Sequence, residues 1–332
     1  MPPVSSHALP ESRAASQRLG LHAALLALAA VTTARAGTVL ASGLGGGFFH
    51  VSGEGAGFAA ALLAILLSHE MGHYVFARLH GVDTTLPFVI PVPPVLPGVG
   101  LVSFGTLGAV IRMRSPIATR DALVDIGAAG PIAGAIVALP LLVYGLSLSH
   151  YAPSPTAAAS VWLGNDSLLG WGRELWRNAH QLPIGTGAAG HALSLGDDLL
   201  MRLCERWVLG PRPPGQDVVV HPIAMAGWFG LLVTALNLFP IGQLDGGHVA
   251  YALLGPRHRT LGRIVSFGLL GLAVFSSLSW GVWWLVTSRF VGYDHPAVDD
   301  ERLPLDGLRL AVCAASLLLF VLTFIPVPMD TI

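Results

Sequence analysis

Long apolar runs alternate with polar connections along the chain, and most of these runs have the length of membrane-spanning helices. Because a helix rises about 1.5 Å per residue, about 20 apolar residues cross a hydrocarbon core of about 30 Å. Six runs are predicted to cross a bilayer, the first of them short: 19–31, 57–79, 122–149, 222–245, 264–286 and 308–327. The pattern therefore predicts an all-α polytopic membrane protein with about six transmembrane helices.

The polar connections suggest a division of the chain into four parts. An N-terminal segment with the first span covers 1–56, and the second and third spans with their connection cover 57–149. An extramembrane insert covers 150–221, and the last three spans cover 222–332.

The first run leaves two interpretations open. Arg13 and Arg18 precede it and Ala34-Arg35-Ala36 follows it, which is typical of a secretory signal peptide with an Ala-x-Ala cleavage site. A short retained span, 19–36, with its N-terminus in the cytoplasm fits the same pattern. We favour the span, because an integral membrane protein needs no cleaved signal. Both interpretations place the segment after the first run outside the cell, so that the second run crosses the membrane towards the cytoplasm.

The second run, 57–79, carries ionisable side chains where a span should have none. His69, Glu70 and His73 lie well inside it, at a cost of about 2.5–3.5 kcal/mol each on insertion scales, so a functional role is expected. His69 and His73 are four residues apart and share a helix face, so both can bind one zinc ion. Glu70 lies between them and is the predicted base that takes a proton from water on the metal. A third ligand must come from another part of the chain.

The third ligand is predicted at the end of the run 222–245. Its apolar helix reaches Asn237 and is broken by Pro240, and Asp245 follows just after the break. A broken helix lets a carboxylate turn inward, and Gly246 and Gly247 allow another backbone to come close. We therefore predict one zinc ion per chain, held by His69, His73 and Asp245.

The connection 80–116 is too rich in proline and glycine for a helix. Its part 101–113 (LVSFGTLGAVIRM) is rich in β-forming residues and is predicted to be a strand or hairpin. It is either a surface loop or a small re-entrant β-element near the metal, with a free edge that could pair with an extended substrate. We favour the β-element, and we assign Gly105, Gly108, Asn237 and Pro240 to substrate binding.

Other segments are predicted to be structural. The start of the third span, 125–134, is dense in small residues that allow close helix approach, with Asp125 as a packing residue. Residues 196–209 are predicted to form an amphipathic helix on the membrane surface. The acidic loop 299–301 is interpreted as a solvated connection, and Cys204 and Cys313 as packing residues.

Composition and charge agree with a membrane location. The 332 residues are 53% hydrophobic and 11% charged, against about 25% charged in soluble domains. The net charge of −1 points to no nucleic-acid partner. Arginines in short loops are concentrated on the side of 80–121 and 246–263, which is therefore predicted to be cytoplasmic. We expect a bacterial inner-membrane protein whose metal site lies towards the cytoplasmic face.

The motif HEMGH in one span and NLFPIGQLDGG at a later broken helix together resemble the site-2 protease family of intramembrane zinc metalloproteases. The resemblance covers about 57–255 and implies zinc on His69, His73 and Asp245 with Glu70 as base. It also implies that Asn237 helps to hold the substrate backbone, or steadies the developing oxyanion. It further implies that the substrates are transmembrane segments of other proteins. Neither a PDZ nor a CBS domain is evident in the sequence. The insert 150–221 is short for a PDZ domain.

Two other classes of function compete with this hypothesis. A prenyl-protein type of membrane metalloprotease would need a glutamate in a later span, and the predicted later spans contain none. A non-catalytic zinc-binding or transport-like membrane protein would keep the ligands without needing Glu70. The role of His248, directly after the two glycines, and the oligomeric state are left open.

Overall fold

A computed structural model describes residues 12–42, 50–94, 103–153, 169, 193–300 and 304–331. Its helices are α1 (Ser12–Ser42), α2 (Gly53–Leu79), α3 (Arg120–Ser147), α4 (Leu199–Val208), α5 (Pro222–Asn237), α6 (Asp245–Leu254), α7 (His258–Phe275), α8 (Leu278–Val286) and α9 (Gly307–Thr323). A 3-10 turn, Gly255–Arg257, precedes α7, and a π-helical turn, Thr287–Val291, follows α8. The strands are β1 (Phe88–Pro91), β2 (Thr106–Val110), β3 (His150–Pro153), β4 (Leu193–Leu195), β5 (Gln216–Val219) and β6 (Met329–Thr331).

Three of the described helices are long and apolar enough to cross a membrane by length and composition. They contain the windows Leu19–Ser42, Gly53–Leu79 and Arg120–Ser147. The apolar helices α5 and α9 are shorter, with 16 and 17 residues. An integral membrane protein is therefore supported, whereas the count of six transmembrane helices is not confirmed.

The predicted fifth span is wrong as a single helix, because the chain breaks between α7 and α8. The Ser277 side chain accepts a hydrogen bond from the Ser279 backbone amide and caps α8. The Trp280 indole donates a 2.7 Å hydrogen bond to the Pro326 carbonyl. A serine side chain at a helix start satisfies an amide that has no partner in the helix, so Ser277 favours the break.

The first helix is longer than its apolar run, because its second half is buried against α2. Ala29 and Ala36 are fully buried, and a Cβ on Gly37 would lie 2.6 Å from that of Phe58. The choice between a retained span and a signal peptide stays a prediction.

The core is formed where α2, α3 and α5 pack together. Ile65, Leu142, Trp228 and Leu231 from these helices are fully or almost fully buried in one cluster. A Cβ on Gly227 would lie 2.9 Å from the backbone of Leu142, so this glycine lets α5 approach α3 closely. The packing fixes both helices against α2, which carries the HEMGH motif.

The fold is mostly helical, as predicted, and it also contains three small antiparallel sheets: β1 with β2, β3 with β5 and β4 with β6. The predicted β-element therefore exists, but its first strand, β1, lies in the proline-rich stretch before 101–113. Proline is tolerated there because Pro91 ends a strand of a two-stranded sheet. Residues 95–102, which include the start of the predicted strand, lie outside the described part of the chain.

The amphipathic helix predicted at 196–209 is present as α4. Met201 and Cys204 are buried in the core cluster, whereas the side chains of Leu203 and Trp207 are exposed. The location of α4 on a membrane surface stays a prediction. Most of the insert that contains it, 154–168 and 170–192, is not described.

Candidate metal centre

Two helices bring three metal-binding side chains together. His69 and His73 project from α2 and are 4% and 5% exposed, and Asp245 is the first residue of α6. The Nε2 atoms of the two histidines are 3.2 Å apart. Asp245 places Oδ2 3.2 Å from His69 Nε2 and Oδ1 3.3 Å from His73 Nε2. Within the described residues this is the one group of three such side chains close enough to hold a metal ion.

The separations between neighbouring ligand atoms are compatible with a tetrahedral zinc ion. Bonds of about 2.0–2.1 Å from zinc to nitrogen or oxygen place any two tetrahedral ligands about 3.3 Å apart. The two histidine nitrogens are 3.2 Å apart, and their contacts to Asp245, at 3.2 and 3.3 Å, are made to different oxygens of its carboxylate. Three protein ligands would leave the fourth tetrahedral position for water or substrate, as in catalytic zinc sites.

A hydrogen bond fixes the orientation of the His73 ring. Its Nδ1 lies 2.7 Å from the Ile126 carbonyl oxygen of α3. A carbonyl only accepts, so Nδ1 carries the proton and Nε2 keeps its lone pair towards the metal position. Such a bond also raises the basicity of a histidine ligand.

Glycines of α3 make room for the ligands on α2. A Cβ on Gly130 would lie 2.1 Å from His73 Nε2, and one on Gly134 would lie 3.2 Å from His69 Nδ1. A Cβ on Gly127 would lie 3.1 Å from the backbone oxygen of Asp245. The small residues predicted to permit close helix approach therefore face the metal centre itself.

A tight turn carries the chain from α5 to Asp245. Residues 238–244 connect the two helices, and Gly242 adopts φ = +53°, which favours glycine. Cβ atoms on Gly246 and Gly247 would lie within 2.3 Å of the carbonyl oxygens of Leu238 and Gly242. Both glycines are thus needed for α6 to fold back onto the turn.

Glu70 and Asn237 lie beside the three candidate ligands. Glu70 is buried, and the backbone amide of Ile111, directly after β2, lies beside its carboxylate. The amide nitrogen of Asn237, the last residue of α5, is 3.3 Å from His69 Nε2. Both side chains were predicted from the sequence, but the contact from Ile111 was not, because every residue type except proline carries a backbone N–H.

The other residues assigned to substrate binding differ in their surroundings. Gly108 has φ = +106° at a bulge of β2, and a Cβ there would meet nothing within 4 Å. Gly105 has φ = +81° and packs so closely on α1 that a Cβ would lie 2.4 Å from the Thr32 carbonyl oxygen. Pro240 lies in the turn between α5 and α6, near Gly262 of α7.

His248 contacts a residue that the sequence did not single out. Its Nδ1 lies 2.7 Å from Nε2 of His295, in the segment after the π-helical turn. The same segment corrects the interpretation of the acidic loop 299–301. Asp299 is exposed, as a solvated connection requires, but the Asp300 carboxylate accepts a 2.8 Å hydrogen bond from the Arg120 backbone amide.

Comparison with known proteins identifies the family of this chain. The sequence profile described as peptidase family M50 matches residues 57–275. This range contains both motifs on which the resemblance to site-2 proteases was based, and the resemblance is confirmed.

Individual relatives are plant proteins whose names place them in the chloroplast. The probable zinc metalloproteases EGY1 of Arabidopsis thaliana and of Oryza sativa subsp. japonica are 30% and 32% identical over 273 and 272 residues. EGY2 of Arabidopsis thaliana is 28% identical over 273 residues. Each match covers 81% of this chain but 42%, 40% and 41% of the relative, so the chain spans about two fifths of their length. No solved structure matches the chain. These relatives do not support the expectation of a bacterial inner membrane.

Proposed function

The chain belongs to peptidase family M50, and we propose that it is an intramembrane zinc metalloprotease. It hydrolyses peptide bonds in or near transmembrane segments of other membrane proteins. The observation that carries this proposal is the cluster of His69, His73 and Asp245 beside a buried carboxylate, Glu70. The plant relatives named as probable zinc metalloproteases support the choice of zinc.

Each side chain has a distinct role in the proposed reaction. A zinc ion held by the three ligands would supply a Lewis acid at the scissile carbonyl and acidify water at neutral pH. Glu70 accepts a proton from the attacking water and passes it to the leaving amine. The Asn237 amide, beside the ligands, hydrogen-bonds to the substrate backbone or to the oxygen that gains negative charge.

The substrate segment is extended when it is cut. A peptide bond inside a helix is shielded by its own backbone hydrogen bonds, so the substrate must unwind locally. The sheet of β1 and β2 has two strands in the described part of the chain, which leaves an edge for an added strand. The Leu107 and Val110 side chains of β2 are exposed, and the chain reaches Glu70 directly afterwards at Ile111. A strand added along β2 would therefore bring its backbone towards the catalytic carboxylate.

The proposed orientation places the metal centre near the side with the arginine-rich short loops. His69 lies ten residues before the end of α2 at Leu79, a distance of about 15 Å along the helix. Arg78, Arg112 and Arg114 lie on this side. The cytoplasmic face, or its equivalent in an organelle, is therefore the proposed side of cleavage.

The test is cleavage of a panel of single-span substrates by purified protein in detergent, beside Glu70→Gln. The variant keeps all three ligands, so we expect both proteins to hold one zinc ion per chain. Loss of the base should reduce the cleavage rate by about 10²–10⁴-fold. Equal cleavage by both proteins would refute the role of Glu70. Zinc in both without cleavage by either would favour a non-catalytic zinc-binding or transport-like protein.

A further inference from the structure

The segment 292–300, here called the strap, lies against the helix that supplies the third metal ligand. His295 of the strap approaches His248 of α6 with 2.7 Å between ring nitrogens, and its ring stacks on Tyr251 with centroids 4.3 Å apart. Val298 is buried in the same hydrophobic cluster as Val249 and Ala252 of α6. The strap therefore contacts α6 along much of its length.

The hydrogen bonds of the strap define one tautomer for each histidine. His295 Nδ1 lies 2.7 Å from the Pro296 carbonyl oxygen, so Nδ1 carries a proton and Nε2 is the acceptor. His248 Nδ1 must then donate to His295 Nε2. Burial lowers the pKa of His295 below its ordinary value. The neutral imidazole that this chain of bonds requires is therefore favoured at pH 7.

Contacts from outside the helix help to position α6, because it is short and its start lacks a side-chain cap. It has ten residues, and its N-cap, Leu244, offers no side-chain hydrogen bond. Asp245 is its first residue, so a small rotation of α6 moves the ligand carboxylate. His248 lies three residues later, about one turn from Asp245, and its Cβ faces Gly127 of α3. A hydrogen bond at His248 therefore restrains the turn that carries the ligand.

Both ends of the strap contact elements next to the metal centre, the turn before Asp245 and the start of α3. At its start, the Gly292 carbonyl oxygen would lie 2.5 Å from a Cβ on Gly242, in the turn before Asp245. At its end, Asp300 accepts from the Arg120 backbone amide. The Arg120 guanidinium in turn donates to the Ala252 carbonyl oxygen near the end of α6. The strap is thus fixed at both ends, and His295 lies between them.

We propose that His295 is a positioning residue, which acts through His248 to hold α6 so that Asp245 completes the metal site. The inference rests on the metal site of the proposed function, but not on proteolysis. Loss of partners that orient metal ligands typically weakens metal binding by about 10-fold to 100-fold. We expect a weakening in this range when the bond between His295 and His248 is removed.

The experiment compares three variants of the full chain in detergent. His295→Ala removes the acceptor, whereas His295→Gln keeps an acceptor oxygen near the position of Nε2. Tyr293→Phe is the matched control, because its lost hydroxyl bonds Ser266 of α7, at 2.9 Å, and not α6. Zinc affinity is measured by competition with a chelator, and the absorption spectrum after Co²⁺ substitution reports the ligand geometry. Thermal unfolding shows whether each variant is folded.

The proposal predicts weak metal binding and an altered Co²⁺ spectrum for His295→Ala alone, with recovery in His295→Gln. Wild-type affinity in His295→Ala would overturn it, and so would equal weakening in His295→Gln or in Tyr293→Phe. Cleavage of the substrate panel is measured in parallel. Normal metal binding by the wild type without cleavage would contradict the proteolytic function and leave the positioning role intact. A wild-type chain that binds no metal would contradict both.

Discussion

Substitution of Gly130 by alanine should remove metal binding without weakening α3. A Cβ at this position would lie 2.1 Å from His73 Nε2 and 2.5 Å from the two ring carbons next to it. Ordinary contacts of a Cβ begin at about 3.4 Å, so the ring or the helix must move by about 1.3 Å, the difference between the two distances. The atom that meets the new methyl group is the one expected to bind zinc.

The His73 ring has little freedom to make this movement. Its Nδ1 is held by the Ile126 carbonyl at 2.7 Å, and the His69 ring lies on another side with centroids 4.9 Å apart. Zinc sites tolerate deviations of about 0.2 Å in ligand distance. A displacement several times larger is equivalent to losing a ligand, so we expect zinc affinity to fall by at least about 100-fold. Alanine favours a helix over glycine by up to about 1 kcal/mol, so α3 itself should not be destabilised.

Two matched glycine variants make this prediction specific. A Cβ on Gly134 would lie 3.2 Å from His69 Nδ1, which a shift of a few tenths of an ångström relieves, so Gly134→Ala should weaken zinc binding by less than tenfold. Gly268→Ala, on α7, meets nothing within 4 Å and should have no effect. The zinc content of each of the three variants is determined, and its zinc affinity is measured by competition with a chelator. The melting temperature of each variant shows whether it is folded. Wild-type zinc affinity in folded Gly130→Ala would refute the arrangement of α3 against His73.

Two further predictions concern stability. Burial raises the pKa of Asp198, the N-cap of α4, from 3.8 to about 6. Between pH 3.8 and about pH 6 the native state therefore binds more protons than the unfolded state. The stability of the wild type consequently falls as the pH rises through this interval. Asp198→Asn keeps a capping oxygen, and its melting temperature relative to wild type should rise from about pH 4 to about pH 7; a difference independent of pH would contradict the shift. Zinc at about 100 times its Kd should stabilise the wild type by about 2.7 kcal/mol. Thermal unfolding of Asp245→Ala should show no such gain, and an equal gain would place the zinc elsewhere.

The sequence was sufficient for the chemical groups of the centre but not for their supports. His69, Glu70 and His73 are informative because their spacing and their depth in an apolar run are both visible in the sequence. Asp245 was predicted because a broken helix precedes it. Ile111 could not be found in this way, since it contributes only its backbone amide. His295 was missed because its partner, His248, is 47 residues away in the chain.

Some helices and strands could likewise be predicted from the sequence, whereas others could not. The long runs of α2 and α3 were predicted because burial in a bilayer and burial in protein both demand apolar residues. The break between α7 and α8 was missed, since an uninterrupted apolar run can contain a capping serine such as Ser277. The strand β1 was missed because the prolines in and around it argue against a strand, although a short, two-stranded sheet tolerates Pro91 at its end.

The glycines of α3 connect the sequence pattern of the metal centre with the packing of the helices around it. His69 and His73 are four residues apart on α2, and Gly134 and Gly130 are four residues apart on α3. In an antiparallel pair of helices, residue numbers rise along one helix as they fall along the other, so two positions four apart on α2 face two positions four apart on α3 in reverse order. Each histidine therefore meets a glycine on the helix that follows it, as the close approaches of the two pairs show. A pair of metal-binding histidines with a matching pair of glycines in the next apolar run thus predicts which helix packs against the metal centre, and in which register.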